Sequence, residues 1–204
     1  LVTPLIGKVL EDSGYDAKYS LVKKEMAVPK KLDEMIEWKK PNLILKEPAL
    51  LDFGACGKGY LVDIVAEVIE KEGIKNYCVD AGGDMQARGK SLKVGLEHPE
   101  DFTQVIGTVE LSNKSLCGSA GNRRAWADMH HIINPETLTS PKEILSVWAI
   151  AETTILSDIL TTCLFFVSPE ILKEYFDFEY LILNSDYSIK KSEGFEAEVF
   201  IKNS

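Results

Sequence analysis

The amino-acid sequence predicts an α+β fold with a mixed or antiparallel sheet and packed helices. Several segments rich in β-branched and aromatic residues follow one another along the chain, as the strands of an antiparallel sheet do. Only a few segments between them have helical spacing, so a doubly wound sheet with regular alternation of strand and helix is not favoured. With 204 residues, 45% of them hydrophobic, the chain can bury a core, and we expect one domain over residues 1–204.

The first predicted helix lies at the start of the chain. Thr3 and Pro4 form an N-cap followed by proline at the first helical position, which predicts a helix through Leu10 that stops near Gly14. The polar stretch at residues 29–41, bounded by two prolines, is typical of a short linker or a surface excursion.

Two later segments have the spacing of helices, and a third has only a start signal. One helix is predicted from Lys58 to a stop at Gly73, one over Thr154 to Phe166, and a short one after Ser168 and Pro169. The apolar residues that recur at helical spacing are Leu61, Val65, Val68 and Ile69 in the first, and Ile155, Ile159, Leu160 and Cys163 in the second.

Six segments are predicted strands because β-branched and aromatic residues dominate them. They are residues 76–80, 92–96, 105–111, 146–150, 180–183 and 196–201. The order of these strands in a sheet does not follow from the sequence.

The charge balance restricts the partners. Lys and Arg total 23 against 32 Asp and Glu, a net charge of −9, and no basic cluster is present in the sequence. We therefore expect no nucleic-acid partner and no anionic membrane surface, and an anionic substrate would need a local positive site or a metal. No apolar run reaches the roughly 20 residues of a membrane helix, so we expect no transmembrane span, and no secretory signal pattern is visible.

The four cysteines, Cys56, Cys78, Cys117 and Cys163, are far apart and form no C-x-x-C pair. A metal–thiolate cluster is therefore not favoured. Their apolar or Gly-rich surroundings favour buried free thiols, with two disulfides as the alternative.

A glycine-rich turn precedes the helix that starts near Lys58. It runs Asp52-Phe53-Gly54-Ala55-Cys56-Gly57-Lys58-Gly59-Tyr60. A helix N-terminus with a lysine is suited to phosphate binding, although the glycine spacing is neither that of a Walker A loop nor G-x-G-x-x-G. A tight turn with a solvated lysine is the competing interpretation.

A second glycine-rich turn, Asp80-Ala81-Gly82-Gly83-Asp84, follows the strand predicted at residues 76–80. Paired glycines permit positive φ and close approach to a ligand, but an ordinary turn uses them too. An acid at the end of a strand would lie near buried surface and need a partner.

The vicinal histidines His130 and His131 precede Ile132 and Ile133. On a strand they would point to opposite faces, so one of them at most could act as a general base in a given pocket. Both could equally be structural or surface histidines.

Asp158 and Thr162 are four residues apart in a predicted helix, which puts a carboxylate and a hydroxyl on one face. Hard oxygen ligands of this kind suit Mg²⁺ or Ca²⁺. In the alternative, Thr162 bonds to its own backbone and Asp158 is solvated. Together the four segments point to a dinucleotide or pyrophosphate site.

Four motifs in this order resemble the ApbE family, the FAD:protein FMN transferases formerly described as thiamine-biosynthesis lipoproteins. They are residues 51–63, residues 80–84, His131-Ile132-Ile133-Asn134-Pro135-Glu136-Thr137 and Ser157-Asp158-Ile159-Leu160-Thr161-Thr162. The resemblance extends from about Pro4 to about Asn184. The glycine that the family carries after Thr137 is Leu138 here, and from the resemblance we expect the family's segment before Pro4 to be missing.

The resemblance implies a T-fold-like architecture and an activity. The enzyme would bind FAD and, with Mg²⁺, transfer FMN to a threonine hydroxyl of an acceptor protein of the redox-pump subunit type, releasing AMP. Carried over by position, the carbonyl of Ala55 and the side chains of Asp158 and Thr162 would bind the metal. His131 matches the family histidine that acts as the base for the acceptor threonine.

The resemblance also implies the flavin contacts. Asp52, Lys58 and Ile132 would contact FAD, and the turn of Gly82, Gly83 and Asp84 would line its pocket. Two alternatives stay open: an FAD pyrophosphatase, in which water replaces the threonine, and a non-catalytic FAD-binding module.

Overall fold

The structure, a computed structural model, describes residues 2–200. These residues divide into two compact units. The N-terminal unit comprises the described residues up to Phe53 together with Arg124–Pro141, and the sheet unit comprises Gly54–Arg123 together with the described residues from Lys142 onward.

Five α-helices and thirteen strands are formed by the described residues. In chain order they are α1 (Gly7–Asp12), α2 (Leu32–Met35), β1 (Ile36–Lys39), β2 (Asn42–Leu45), α3 (Gly57–Lys71), β3 (Tyr77–Asp80), β4 (Met85–Arg88), β5 (Leu92–Glu97), β6 (Val105–Leu111), β7 (Ser115–Ala120), β8 (Ala125–Trp126), β9 (Met129–His130), β10 (Ile144–Ala151), α4 (Thr154–Cys163), α5 (Pro169–Lys173), β11 (Glu179–Asn184), β12 (Ile189–Lys191) and β13 (Ala197–Val199). Short 3₁₀ turns lie at Pro4–Ile6 and Gly121–Arg124.

The sheet unit contains a six-stranded sheet in the order β12-β11-β10-β7-β4-β3 and a three-stranded sheet in the order β13-β6-β5. Every neighbouring pair in them is antiparallel, which confirms the predicted α+β class. Its core is formed by Ala87, Leu96, Ile106, Val109, Leu111, Leu116, Trp148, Leu181, Leu183 and Phe195.

Helices α3 and α4 pack against each other, and α4 also contacts β7 and β10. The predicted helices are confirmed, but the apolar stripe predicted for α3 is not its buried face. Helix α3 buries Gly59, Val62 and Ala66, while Leu61 and Val68 are more than half exposed.

The N-terminal unit has its own small core of Val9, Leu10, Trp126, Met129 and Ile133. The indole N–H of Trp126 donates to the carbonyl of Ser13 at 2.9 Å, which joins the start of the chain to the later segment. The Thr3 hydroxyl accepts from the N–H of Leu5, so the predicted N-cap is confirmed.

Residues 29–41 are a mostly exposed surface segment, as one of the two predicted alternatives had it, but they are not an irregular linker. They contain α2 and β1, and β1 pairs with β2 in an antiparallel hairpin whose Lys40–Pro41 peptide bond is cis. Strands β4, β7 and β12 were also not predicted; β7 contains Ser115, Gly118 and Ser119, which have low strand propensity, yet it pairs with both β4 and β10. Strand β13 confirms the last predicted strand, whose final residue, Ile201, lies outside the described residues.

All four cysteines are free, as favoured from the sequence. The prediction that they are buried is wrong for Cys78, which is exposed on β3, and holds fully for Cys117 alone, because Cys56 and Cys163 are half-buried. Within the described residues, none of the helices has the length and apolar content to span a bilayer.

Candidate active site

The candidate site of the sheet unit begins at the first turn of α3. The turn before it places Cys56 at the N-cap without a side-chain cap bond, and the N–H of Tyr60 makes the first helical bond to the carbonyl of Cys56 at 2.9 Å. The N–H groups of Gly57, Lys58 and Gly59 come before that bond and need acceptors from elsewhere. This is the polar helix end that the sequence predicted.

The second glycine-rich turn brings a buried carboxylate to Lys58. Gly82 and Gly83 have φ of 74° and 99°, so the turn uses the left-handed conformations that glycine permits. Asp80 is exposed and accepts from the N–H of Gly83 at 2.8 Å, whereas Asp84 is 1% exposed and forms an ion pair with the Lys58 ammonium. Asp84 is therefore the acid of this turn that is buried and paired.

Asp158 lies on the buried face of α4. Its Oδ2 accepts from the N–H of Gly59 at 3.0 Å, which uses one of the N–H groups at the start of α3. Burial and, after it, the nearby carboxylate of Asp84 raise the pKa of Asp158 to about 6, against the opposing effects of the Gly59 N–H and Lys58. Two carboxylates thus share a water-poor site with a single lysine.

The buried face of α4 is largely polar. Ser157, Asp158 and Thr161 are buried, whereas of the predicted apolar face only Leu160 is fully buried and Ile155, Ile159 and Cys163 are partly buried. Polar partners on β7 explain this, because the Ser157 hydroxyl donates to the carbonyl of Ser115 at 3.2 Å and the hydroxyls of Thr161 and Ser119 lie 2.8 Å apart. A buried polar face is stable when its groups are hydrogen-bonded.

Helices α3 and α4 approach closely at Gly59. A Cβ atom at this position would lie 2.5 Å from the carbonyl oxygen of Thr154 and 2.8 Å from both Asp158 Cβ and Ile155 Cα. Only glycine leaves room for the Gly59 N–H to reach the Asp158 carboxylate.

The remaining predicted residues of the sheet unit lie close by in the chain. Ala55 is half-buried in the turn before α3, and Thr162 is half-buried on α4, four residues after Asp158. Within the described part of the chain, no group of three or more His, Cys, Asp or Glu side chains is arranged to hold a metal ion. A metal here would depend on carbonyl, hydroxyl and single-carboxylate oxygens.

Asp52, His131 and Ile132 belong to the N-terminal unit. His130 ends β9, its Nε2 lies 2.8 Å from the carbonyl of Pro141, and its Nδ1 accepts from the N–H of Ile132 at 3.3 Å. His130 is therefore the structural histidine of the pair. His131 is half-buried after the strand, and its N–H donates to the carbonyl of Arg124 at 3.1 Å.

Comparison with known families agrees with these features. A sequence model of the ApbE family matches residues 3–181. The chain belongs to the ApbE family. The architecture agrees as well: the ApbE protein of Thermotoga maritima superposes with a TM-score of 0.80 over 95% of this chain and 70% of its own, at 22% identity. The flavin transferase ApbE of Vibrio cholerae superposes with a TM-score of 0.70 over 95% of this chain and 69% of its own, at 17% identity.

Curated relatives are named FAD:protein FMN transferase. The Escherichia coli K12 protein is 30% identical over an alignment of 136 residues that covers 61% of this chain and 38% of that protein. A Klebsiella pneumoniae protein is 27% identical over an alignment of 161 residues that covers 72% of this chain and 44% of that one. This ApbE-family chain therefore spans less than half the length of these relatives.

One departure from the family sequence has a backbone conformation that glycine favours. Leu138, which stands where the family has glycine, adopts a φ of 58°, in the left-handed region that glycine favours. The side chain packs against the core of the N-terminal unit, which offsets some of the cost of this backbone conformation.

Asp63 and Cys117 were not predicted from the sequence as residues of this candidate site. Burial raises the pKa of the Cys117 thiol far above its usual value, with Asp84 and Asp158 adding to the effect, so the thiol is a neutral neighbour of both acids. Asp63 is the last residue of the motif at residues 51–63, and its carboxylate accepts from the N–H groups of Thr154 and Ile155, some 90 residues later in the chain. The motif alone did not indicate these partners.

Proposed function

We propose that this chain acts as a Mg²⁺-dependent FAD:protein FMN transferase, which moves FMN from FAD to a threonine hydroxyl of an acceptor protein and releases AMP. The observation that carries the proposal is the convergence of Lys58, Asp84 and Asp158 at the N-terminus of α3. Membership of the ApbE family and the names of the curated relatives support it.

The donors suit Mg²⁺. Asp158 is 4% exposed, and burial followed by the neighbouring Asp84 carboxylate raises its pKa to about 6, so a divalent cation would stabilise its charged form. The Ala55 carbonyl, the Asp158 carboxylate and the Thr162 hydroxyl would hold the ion, with waters and phosphate oxygens completing its shell. The bound metal would neutralise charge that develops on the pyrophosphate as AMP leaves.

The FAD pyrophosphate would bind where the positive groups are. Lys58 has a half-exposed side chain, and the 15-residue helix α3 adds the partial positive charge of its N-terminus. Gly82 and Gly83 are exposed, and a Cβ atom at either would meet nothing within 4 Å, so a ligand can approach the backbone of the turn. Asp52 and Ile132 remain predicted flavin contacts from the family resemblance.

In the proposed transfer the threonine oxygen of the acceptor forms a bond to the FMN phosphorus. The bond from that phosphorus to the bridging oxygen breaks, and AMP leaves with this oxygen. The hydroxyl proton passes to His131, which would act as a neutral base. The acceptor would be a flavoprotein of the redox-pump subunit type.

The test is incubation of the chain with FAD, Mg²⁺ and a threonine-containing acceptor domain, with AMP release and acceptor mass measured together. An acceptor heavier by one FMN, with equimolar AMP, is the expected result. AMP and free FMN without labelling would instead establish an FAD pyrophosphatase, and FAD binding without AMP would establish a non-catalytic module.

Two variants assign the roles. Asp158→Asn should abolish Mg²⁺-dependent turnover, and Asp177→Asn, at an exposed position of the same unit, is the matched control. His131→Ala should slow transfer by about 100-fold or more while FAD affinity stays nearly unchanged, because a general base acts on the reacting proton and not on binding. Unchanged turnover in both variants contradicts the assignment.

A further inference from the structure

Asp63, in the second turn of α3, caps the N-terminus of α4. Its Oδ1 accepts from the N–H of Thr154 at 2.8 Å, and its Oδ2 accepts from the N–H of Ile155 at 2.9 Å. The N-cap residue of α4, Thr153, makes no side-chain cap bond of its own. The carboxylate of another helix thus supplies both acceptors, and bonds of this kind to a charged group are among the stronger ones in proteins.

The Asp63 carboxylate is held in place by buried polar groups. Gln86 Nε2 donates to Asp63 Oδ1 at 3.2 Å, and it lies 3.4 Å from the Ser115 hydroxyl, which accepts from the Thr154 hydroxyl at 3.1 Å. Ser115 and Thr154 are fully buried and Gln86 is 4% exposed. Because these groups satisfy one another away from water, the position of Asp63 is well determined.

Asp63 and Gly59 are one helical turn apart on α3, and Thr154 and Asp158 are one turn apart on α4. The hydrogen bonds Gly59–Asp158 and Asp63–Thr154 therefore connect the two helices at two points, separated by one turn. Two such bonds fix both the rotation of α4 and its position along α3, whereas the Gly59–Asp158 bond alone would leave α4 able to rotate about that point.

We propose that Asp63 is a positioning residue that holds α4 so that the Asp158 carboxylate lies at the first turn of α3. The inference rests on the proposed function, in which Asp158 is a metal ligand. Asp63 acts through the helix and touches neither metal nor substrate. Partners that orient a metal ligand are typically worth about tenfold to 100-fold in metal affinity.

The test compares Asp63→Asn with Glu67→Gln. Asparagine keeps the shape of the side chain but sets an NH₂ group against one of the two helix N–H groups, so one bond is lost and two donors meet. Glu67 is exposed one turn further along α3, so its variant removes the same charge without touching α4. Folding of each variant is checked by circular dichroism and urea denaturation.

The first readout is the affinity for Mn²⁺ alone, measured by electron paramagnetic resonance, since Mn²⁺ takes the same oxygen ligands as Mg²⁺. The dissociation constant should rise about tenfold or more in Asp63→Asn and stay unchanged in Glu67→Gln. Equal affinities in the two variants would overturn the positioning role and leave the proposed function intact.

The second readout is hydrogen exchange of the Gly59 amide in the metal-free protein, measured by NMR. This N–H precedes the first intrahelical bond of α3, so its acceptor is Asp158. Faster exchange of the Gly59 amide in Asp63→Asn supports the positioning role. If the wild-type chain binds no Mn²⁺, that result counts against the metal site alone, and the exchange measurement still tests the positioning role. Unchanged exchange of the Gly59 amide overturns the positioning role of Asp63.

If Asp63→Asn does not fold, Gln86→Met replaces it. Methionine keeps the length of the side chain and removes the amide that holds Asp63 Oδ1. In Gln86→Met we expect a loss of Mn²⁺ affinity smaller than that predicted for Asp63→Asn, together with faster exchange of the Gly59 amide. Wild-type values in both measurements would refute the inference.

Discussion

Replacing Gly59 by alanine should destabilise the sheet unit, although helix propensity predicts the opposite. Alanine in a helix is favoured over glycine by about 0.5–1 kcal/mol. Here the added Cβ would lie 2.5 Å from the Thr154 carbonyl oxygen and 2.8 Å from the Ile155 Cα, both backbone atoms of α4 that cannot rotate away. Overpacking of this kind costs about 1–3 kcal/mol.

A second loss adds to the first. If α4 moves to make room, the bond from the Gly59 N–H to the Asp158 carboxylate lengthens, and hydrogen bonds to charged groups contribute about 1.5–3 kcal/mol. Allowing for the propensity gain and for partial relaxation, the net destabilisation should be about 2 kcal/mol. For a chain of this size, that lowers the melting temperature by roughly 4–8 °C.

The matched control is Gly57→Ala in the same first turn, where a Cβ atom would meet nothing within 4 Å. Its stability should stay within about 0.5 kcal/mol of wild type. Urea denaturation followed by circular dichroism, with thermal melts beside it, measures both variants. If Gly59→Ala is as stable as Gly57→Ala, the close approach of α3 and α4 does not exist as described.

Two further predictions concern charge. Lys58→Gln leaves the buried Asp84 carboxylate without its ammonium partner, so the free energy of unfolding measured by urea denaturation should fall by about 1–3 kcal/mol. Adding Mg²⁺ should restore part of this loss. The control Lys71→Gln removes one member of an exposed ion pair and should leave the free energy of unfolding unchanged. Burial lowers the pKa of His130, so the folded state binds fewer protons than the unfolded state, and the free energy of unfolding should fall as the pH drops below 6.5. In a His130→Gln variant the free energy of unfolding should depend less steeply on pH. Equal slopes in the variant and the wild type would contradict this prediction.

The sequence predicted most of the regular elements. Strand β6 has the predicted bounds, Val105–Leu111, and α3 and α4 begin within a residue of their predicted starts. Residue types, caps and spacing are local properties, so they carry this information. Strand β7 was missed because local properties do not indicate it. Its Ser and Gly residues form a strand only through pairing with β4 and β10 on either side.

The buried faces of the helices could not be predicted in the same way. Leu61 and Val68 have the spacing of a core stripe and are exposed, while Ser157 and Thr161 are buried against polar groups of β7. Periodicity shows that a helix has two faces but does not show which neighbours each face meets. Propensity is overridden where tertiary partners satisfy buried polar groups.

By itself, the sequence determined the α+β class, the family resemblance and the residues that could carry chemistry, because each depends on residue types within short segments. Only the tertiary structure decided which acid is buried, Asp84 and not Asp80, and that Lys58 and Asp158 meet at one helix end. It also decided the partners of Asp63, since a carboxylate on one helix can cap another only when the fold brings together residues 91 positions apart in the chain.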